Sequence, residues 1–314
     1  MCYDSLENSV QLERRLLMNA KNFSMALAFL SVGGGCAAFV LRLLQLHTGF
    51  EIGTGLPVSG NPAALALLIL LAGMSAAFAA CSLRLPGDAA PAFPFSTDAR
   101  FPLALIALGS LSLLLSGLAD LLEGAGGINL LSLMQGSAAA RAVISQSLTG
   151  ESVTGFRGTI QILSGALTLL SATGLLLCAA SCRNGAKSCR GGALMISPVA
   201  MVVRLVAAYR MDSINPVLED YVVQLLALAL LTLGFYHLAA FPFASGDSRR
   251  FTFYTCAAVP FCLCALADGG ASGRSPIAKA YLSAPLLYLG GAAVLLGFLL
   301  LALDAPARTV REAS

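Results

Sequence analysis

Apolar residues gather in eight long runs, near residues 22–46, 62–85, 101–122, 159–181, 192–211, 216–241, 251–268 and 277–303, with polar residues filling the gaps. Runs of this length match the roughly 20 residues that an α-helix needs to cross a bilayer's hydrocarbon core. The pattern predicts an all-α integral membrane protein with eight transmembrane helices. Composition agrees: 57% of residues are hydrophobic and 11% charged, with a mean hydropathy of +0.82. A soluble domain carries about a quarter charged residues, and no segment outside the runs is large enough to build a core of its own.

Positive charge then orients the spans. Arg14, Arg15, Lys21, Arg84, Arg100, Arg183, Lys187, Arg190, Arg249, Arg250, Arg308 and Arg311 all fall on one side, against Arg141, Arg157, Arg274 and Lys279 on the other. The positive-inside rule therefore places both termini in the cytoplasm, in a protein of the cell membrane. The lipid bilayer is the first partner. Net charge is only +3, and the basic residues are dispersed, which disfavours nucleic acid.

The runs also repeat. Asn61-Pro62, Phe93-Pro94-Phe95, Asp98, Arg100-Phe101 and Leu118-Ala119-Asp120 recur in order as Asn215-Pro216, Phe241-Pro242-Phe243, Asp247, Arg250-Phe251 and Leu266-Ala267-Asp268. Four spans per half is an even number, so the halves enter from the same side and the duplication is parallel, a 4+4 arrangement. The expected organisation is a cytoplasmic N-terminal segment 1–21, a first repeat 22–182, a basic connector 183–191, a second repeat 192–304 and a cytoplasmic tail 305–314. Leu6, Val10 and Leu17 share one face of the N-terminal segment, which allows an interfacial helix; a solvated tail is the alternative. An outer insert at 123–158 distinguishes the first repeat and is a candidate cap or protein-docking element.

Much of the repeat has a mechanical reading. Asn before Pro caps a helix start, and the Phe-Pro-Phe elements with Phe101, Phe251 and Phe253 read as rings set at the headgroup level of a chain that has no Trp. Cys36, Cys81, Cys178, Cys256, Cys262 and Cys264 lie inside apolar runs and read as small buried side chains. Cys178, Cys182 and Cys189 match no common metal spacing. His47 and His237 belong to no His-Glu-x-x-His string, and Gly270-Ala271-Ser272-Gly273 lies in a loop without a histidine base in the following span. An enzyme is disfavoured, no cofactor is named and no metal site is expected.

Charges within spans carry the remaining signal, because a bilayer makes them costly. Each half supplies one arginine and one aspartate toward the outer ends of its first and third helices: Arg42 with Asp120, and Arg204 with Asp268. Pairing within each half is the expectation, with pairing across the halves as the variant. Gly33, Gly34 and Gly35 before Arg42, and Pro198 before Arg204, sit where helix interruptions would mark a transport site; close packing is the competing explanation. The functional expectation is a small-solute transporter or permease subunit with a site between repeats. A non-catalytic scaffold or complex subunit docking a protein partner is the alternative, and a membrane-embedded enzyme the third class.

Overall fold

The computed structural model describes residues 2–51, 58, 60–84, 100–126, 156–183, 191–212, 218–243, 245–270 and 283–312; side-chain surroundings are described from residue 25 onward, except at 125–126, 156–158, 211–212, 218–220, 269–270 and 303–312. The helices are α1 (Cys2–Thr48), α2 (Pro62–Ser82), α3 (Arg100–Gly126), α4 (Phe156–Arg183), α5 (Gly191–Asp212), α6 (Leu218–Ala240), α7 (Ser248–Gly270) and α8 (Ser283–Glu312). A 3-10 turn, Phe241–Phe243, continues α6. All eight helices contain a stretch long and apolar enough to span a membrane. The protein is therefore a multi-pass membrane protein.

Neighbouring side chains fix the helix directions. Gly117 meets Leu169 while Gly165 meets Leu121, Gly109 meets Val294 while Gly290 meets Leu113, Gly174 meets Ala193 while Ser171 bonds Ser197, and Gly34 meets Met74 while Gly49 meets Asn61, so α3–α4, α3–α8, α4–α5 and α1–α2 are antiparallel. Arg42 meets Asp268 while Gly35 meets Pro260 and Leu263, so α1 and α7 run parallel. Gln224 meets Asp268 and His237 stacks on Tyr254, so α6 and α7 are antiparallel. Gly234 of α6 meets Leu295 of α8 while Leu231 meets Gly291, so α6 and α8 run parallel, and odd-numbered helices run one way and even-numbered ones the other. The end where α1 starts is called basal below, and the opposite end distal.

Contacts interleave the two halves of the chain. α1 packs chiefly on α7 and α2, while α3 packs on α4 and α8. α7 and α8 are the most enclosed spans and α2 the least. The common core includes Leu113 of α3, Leu175 of α4, Met201 of α5, Phe235 of α6, Cys262 of α7 and Phe298 of α8, all buried. Leu65, Leu68 and Ile69 of α2, by contrast, are exposed, as a lipid-facing helix requires.

Small residues decide the closest crossings. A side chain built on Gly109 would meet the Gly290 carbonyl oxygen at 2.8 Å, and one on Gly290 would meet that of Gly109 at 2.7 Å. One turn further along, the Ser112 hydroxyl donates to the Leu286 carbonyl and the Ser116 hydroxyl to the Ser283 carbonyl, both at 2.7 Å. In lipid, where apolar surface gives no net drive for helix association, such close approach and interhelical bonding hold helices together.

Several expectations change. α1 runs unbroken through Gly33–Gly35 and α5 runs unbroken through Pro198, so neither is interrupted. Gly34 instead accommodates Met74, Gly35 accommodates Leu263 and Pro260, and Gly33 has open space around it. The polar N-terminal stretch is helical and continuous with the first span, α1 beginning at Cys2 and its apolar stretch at Met25; α8 likewise runs on to Glu312, past its apolar stretch Ser283–Ala302. α3 continues to Gly126, past the expected start of the insert at 123, and residues 127–155 lie outside the described set.

The aromatic belt is also modified. Phe241 and Phe251 are buried and meet edge to face at 5.4 Å between ring centres, whereas Phe243 and Phe101 are exposed. One half of the Phe-Pro-Phe element is thus core and the other half surface; Phe93 and Phe95 lie outside the described residues. Asn61 caps α2 as expected, its Oδ1 accepting from the Ala63 amide at 2.8 Å with Pro62 at the first helical position. Asn215-Pro216 lies outside the described residues. Cys178, Cys182, Cys256, Cys262 and Cys264 are buried, Cys81 is half-buried, and Cys36 is exposed on its helix.

Candidate functional site

The four charged residues form two clusters near the distal ends of the helices, and their partners are exchanged relative to the within-half expectation. Arg42 of α1 donates through Nε to Asp268 of α7 at 2.7 Å. Arg204 of α5 bonds through Nη2 to Asp120 of α3. The physical reason lies in packing: α1 rests on α7, and α5 reaches α3 across α4. The deep arginine on α5 finds its acid in the other half of the chain.

The first cluster closes on itself. Arg42 is only 1% exposed, and its Nη1 donates to Gln45 Oε1, one turn along α1, at 2.9 Å. The second oxygen of Asp268 accepts from Gln224 Nε2 of α6 at 3.2 Å. One cation and one anion are held in a low-dielectric setting with hydrogen bonds on both sides, the condition under which a buried pair is tolerated. Removing either partner alone would strand the other.

The second cluster is larger. Besides Asp120, Arg204 donates through Nε to the Thr168 hydroxyl of α4 at 3.0 Å and through Nη2 to the Ser116 hydroxyl of α3 at 3.3 Å. Ser283, the first residue of α8, bonds Asp120 with its side chain and accepts from Ser116 with its carbonyl. Four helices therefore converge here. Gly165 makes this possible, because a side chain at that position would come within 2.8 Å of the Gly117 carbonyl and 3.0 Å of Asp120 Cβ.

A second acid joins this cluster without a cation of its own. Glu123 lies one turn beyond Asp120 on α3 and is 6% exposed. Its Oε2 accepts from Gln161 Nε2 of α4 at 2.9 Å, and its Oε1 has no hydrogen-bond partner among the described residues. Among the described residues, the charges acting on Glu123 are Asp120 and Arg204. Sequence reasoning missed Glu123 by ending the third span at 122. The i, i+3 spacing from Asp120 was the available signal, since it puts both acids on one helix face. Gln45, Gln224, Gln161 and Thr168 were also missed; only Gln45, one turn beyond Arg42, had a comparable local cue.

Two cavities lie elsewhere. One of about 250 Å³ is bounded by Met195, Tyr236, Ala239, Ala240, Phe243 and Ser245 toward the basal end. Another, of about 530 Å³, opens between the end of α1 and the start of α2, beside Leu44, Thr48 and Asn61. Neither is lined by Arg42, Asp120, Arg204 or Asp268. The two histidines are apart from the clusters: His47 lies in the last turn of α1, and His237 stacks on Tyr254 at 5.0 Å near the basal end of α6.

Against known proteins, no family model matches the chain, and no curated protein or solved structure matches it either. The eight-helix membrane class is thus defined by the chain's own sequence and geometry.

Proposed function

We propose that this chain is a small-solute transporter or permease subunit of the cell membrane, built from two parallel four-helix repeats with both termini cytoplasmic, in a state closed at its distal, outer end. The observation that carries the reading is the exchanged pairing. Arg42 with Asp268 and Arg204 with Asp120 each join the two halves of the chain within apolar spans. Exchanging the halves maps one pair onto the other, as a two-fold duplication requires. Charges at such depth are expensive, and two matched clasps between halves are what a gate that opens and closes would use.

A static membrane component docking a protein partner is the second reading. It is favoured by the enclosure of both pairs and by the position of the cavities away from them.

Accessibility separates the two. Ser164 of α4 is buried beside the Arg204 cluster, with its hydroxyl bonded to its own helix. In the transport reading, Ser164→Cys reacts over minutes with an impermeant thiol reagent applied to the outer face. Vesicles containing the protein also accumulate at least one small solute from a labelled metabolite pool, and Arg204→Gln abolishes that uptake. A thiol that never reacts, together with no solute taken up, defeats the transport reading.

A further inference from the structure

We propose that Glu123 is a proton-binding site and that the proton is the coupling ion of the transport cycle, an inference that rests on the transport reading above. Both clusters are built on an Arg–Asp pair, and the second adds another acid. Three positions beyond Asp268 stands Ala271; three positions beyond Asp120 stands Glu123. Among the described residues, the Arg204 cluster holds two carboxyl groups against one guanidinium.

That guanidinium is committed. Arg204 already contacts Asp120, Ser116 and Thr168. Glu123 receives one hydrogen bond, from Gln161, on one oxygen only. Its other oxygen is enclosed with no donor among the described residues. An ionised carboxylate oxygen placed this way loses its hydration without gaining a hydrogen bond in return, which disfavours the charged form. A proton on Oε1 removes that charge and balances the cluster. Because Asp120 and Glu123 face one another's field, the proton belongs to the pair as much as to either residue.

Among the described residues, the groups acting on Glu123 are Asp120 on its own helix, Gln161 on α4 and Arg204 on α5, with Ser283 of α8 bonded to Asp120. Glu123 is three residues from the distal end of α3, about 4.5 Å at the helical rise. The step is a simple transfer: a hydronium ion gives a proton to Oε1 and becomes water, leaving the cluster neutral, and a water molecule takes the proton back, becoming hydronium, when the clasp opens. A metal cation is the competing occupant, but hard cations need six or more oxygen ligands, and Oε1 is the one unpartnered oxygen described in this cluster.

Infrared difference spectroscopy on the full-length protein in lipid nanodiscs tests the site directly. Wild type is expected to show a protonated-carboxyl carbonyl band that fades as pH rises. Glu123→Gln removes it, Glu123→Asp shifts it, and Glu51→Gln leaves it in place. A dye-monitored titration should count one proton fewer per chain in Glu123→Gln. The proposal is overturned if no band responds to Glu123→Gln, or if the band at constant pH is displaced by sodium or calcium ions. A band lost in Glu123→Gln while wild-type vesicles take up no solute supports the proton site and removes the transport reading. Solute uptake by wild type without any such band overturns the proton site alone.

Discussion

Arg42 lies 2.7 Å from Asp268 across 226 residues of sequence, and neither side chain is more than 8% exposed. The acid expected for it within its own half, Asp120, pairs instead with Arg204. The arrangement ties the first helix to the seventh and the fifth to the third, so each half is held by a charge supplied by the other.

Neutralising one member should therefore cost far more than neutralising both. Arg42→Gln or Asp268→Asn alone is expected to lose about 3–5 kcal/mol, as when any buried pair is broken from one side. The double variant should recover most of that loss. Thermal unfolding of the purified protein in detergent reads the cycle. Charge reversal sharpens it: Arg42→Asp with Asp268→Arg restores stability, while Arg42→Asp with Asp120→Arg does not. Equal behaviour of the two swaps would contradict the exchanged pairing.

Glycine substitutions should separate packing from freedom of the backbone. Gly33→Ala meets open space and is expected to change stability by less than about 0.5 kcal/mol. At Gly165 an added methyl faces the Gly117 backbone, and at Gly35 it faces Leu263 and Pro260; either should cost about 1–3 kcal/mol by overpacking. Comparison of melting temperatures for the three variants checks this. A large loss at Gly33 would revive a hinge in α1.

The two rings of Phe241-Pro242-Phe243 should behave differently. Phe241→Ala deletes a fully buried ring packed against Phe251 and is expected to cost about 3–5 kcal/mol. Phe243→Ala removes a ring that is 57% exposed and should cost well under half as much. Unfolding of the two variants in one detergent gives the comparison, and equal losses would refute the division into core and surface.

Spans were legible in the sequence because lipid imposes one length and one composition on every crossing. The third run, read as 101–122, lies within the apolar stretch Arg100–Gly124, and the shortest, 251–268, within Ser248–Asp268. Charged residues at the distal ends were legible for the same reason. Their partners were not, since nothing local in Arg42 says that α1 rests on α7 rather than α3. Glu123 was hidden by the rule that reveals spans: an acid after an apolar run looks like its end, whereas here α3 continues and buries it against Gln161. Gly33–Gly35 misled in the opposite sense, because glycine permits both a break and a close approach.

Interleaving also sets an order of events. α1 enters the membrane with Arg42 long before α7 has been synthesised, so the early protein must carry that guanidinium without Asp268. A chain halted after its fourth span contains every residue of the first half but has no α7 or α8 for α1 and α3 to rest on. Completion of the protein is thus concentrated in its last two spans, and the quality of the whole fold is decided when they arrive.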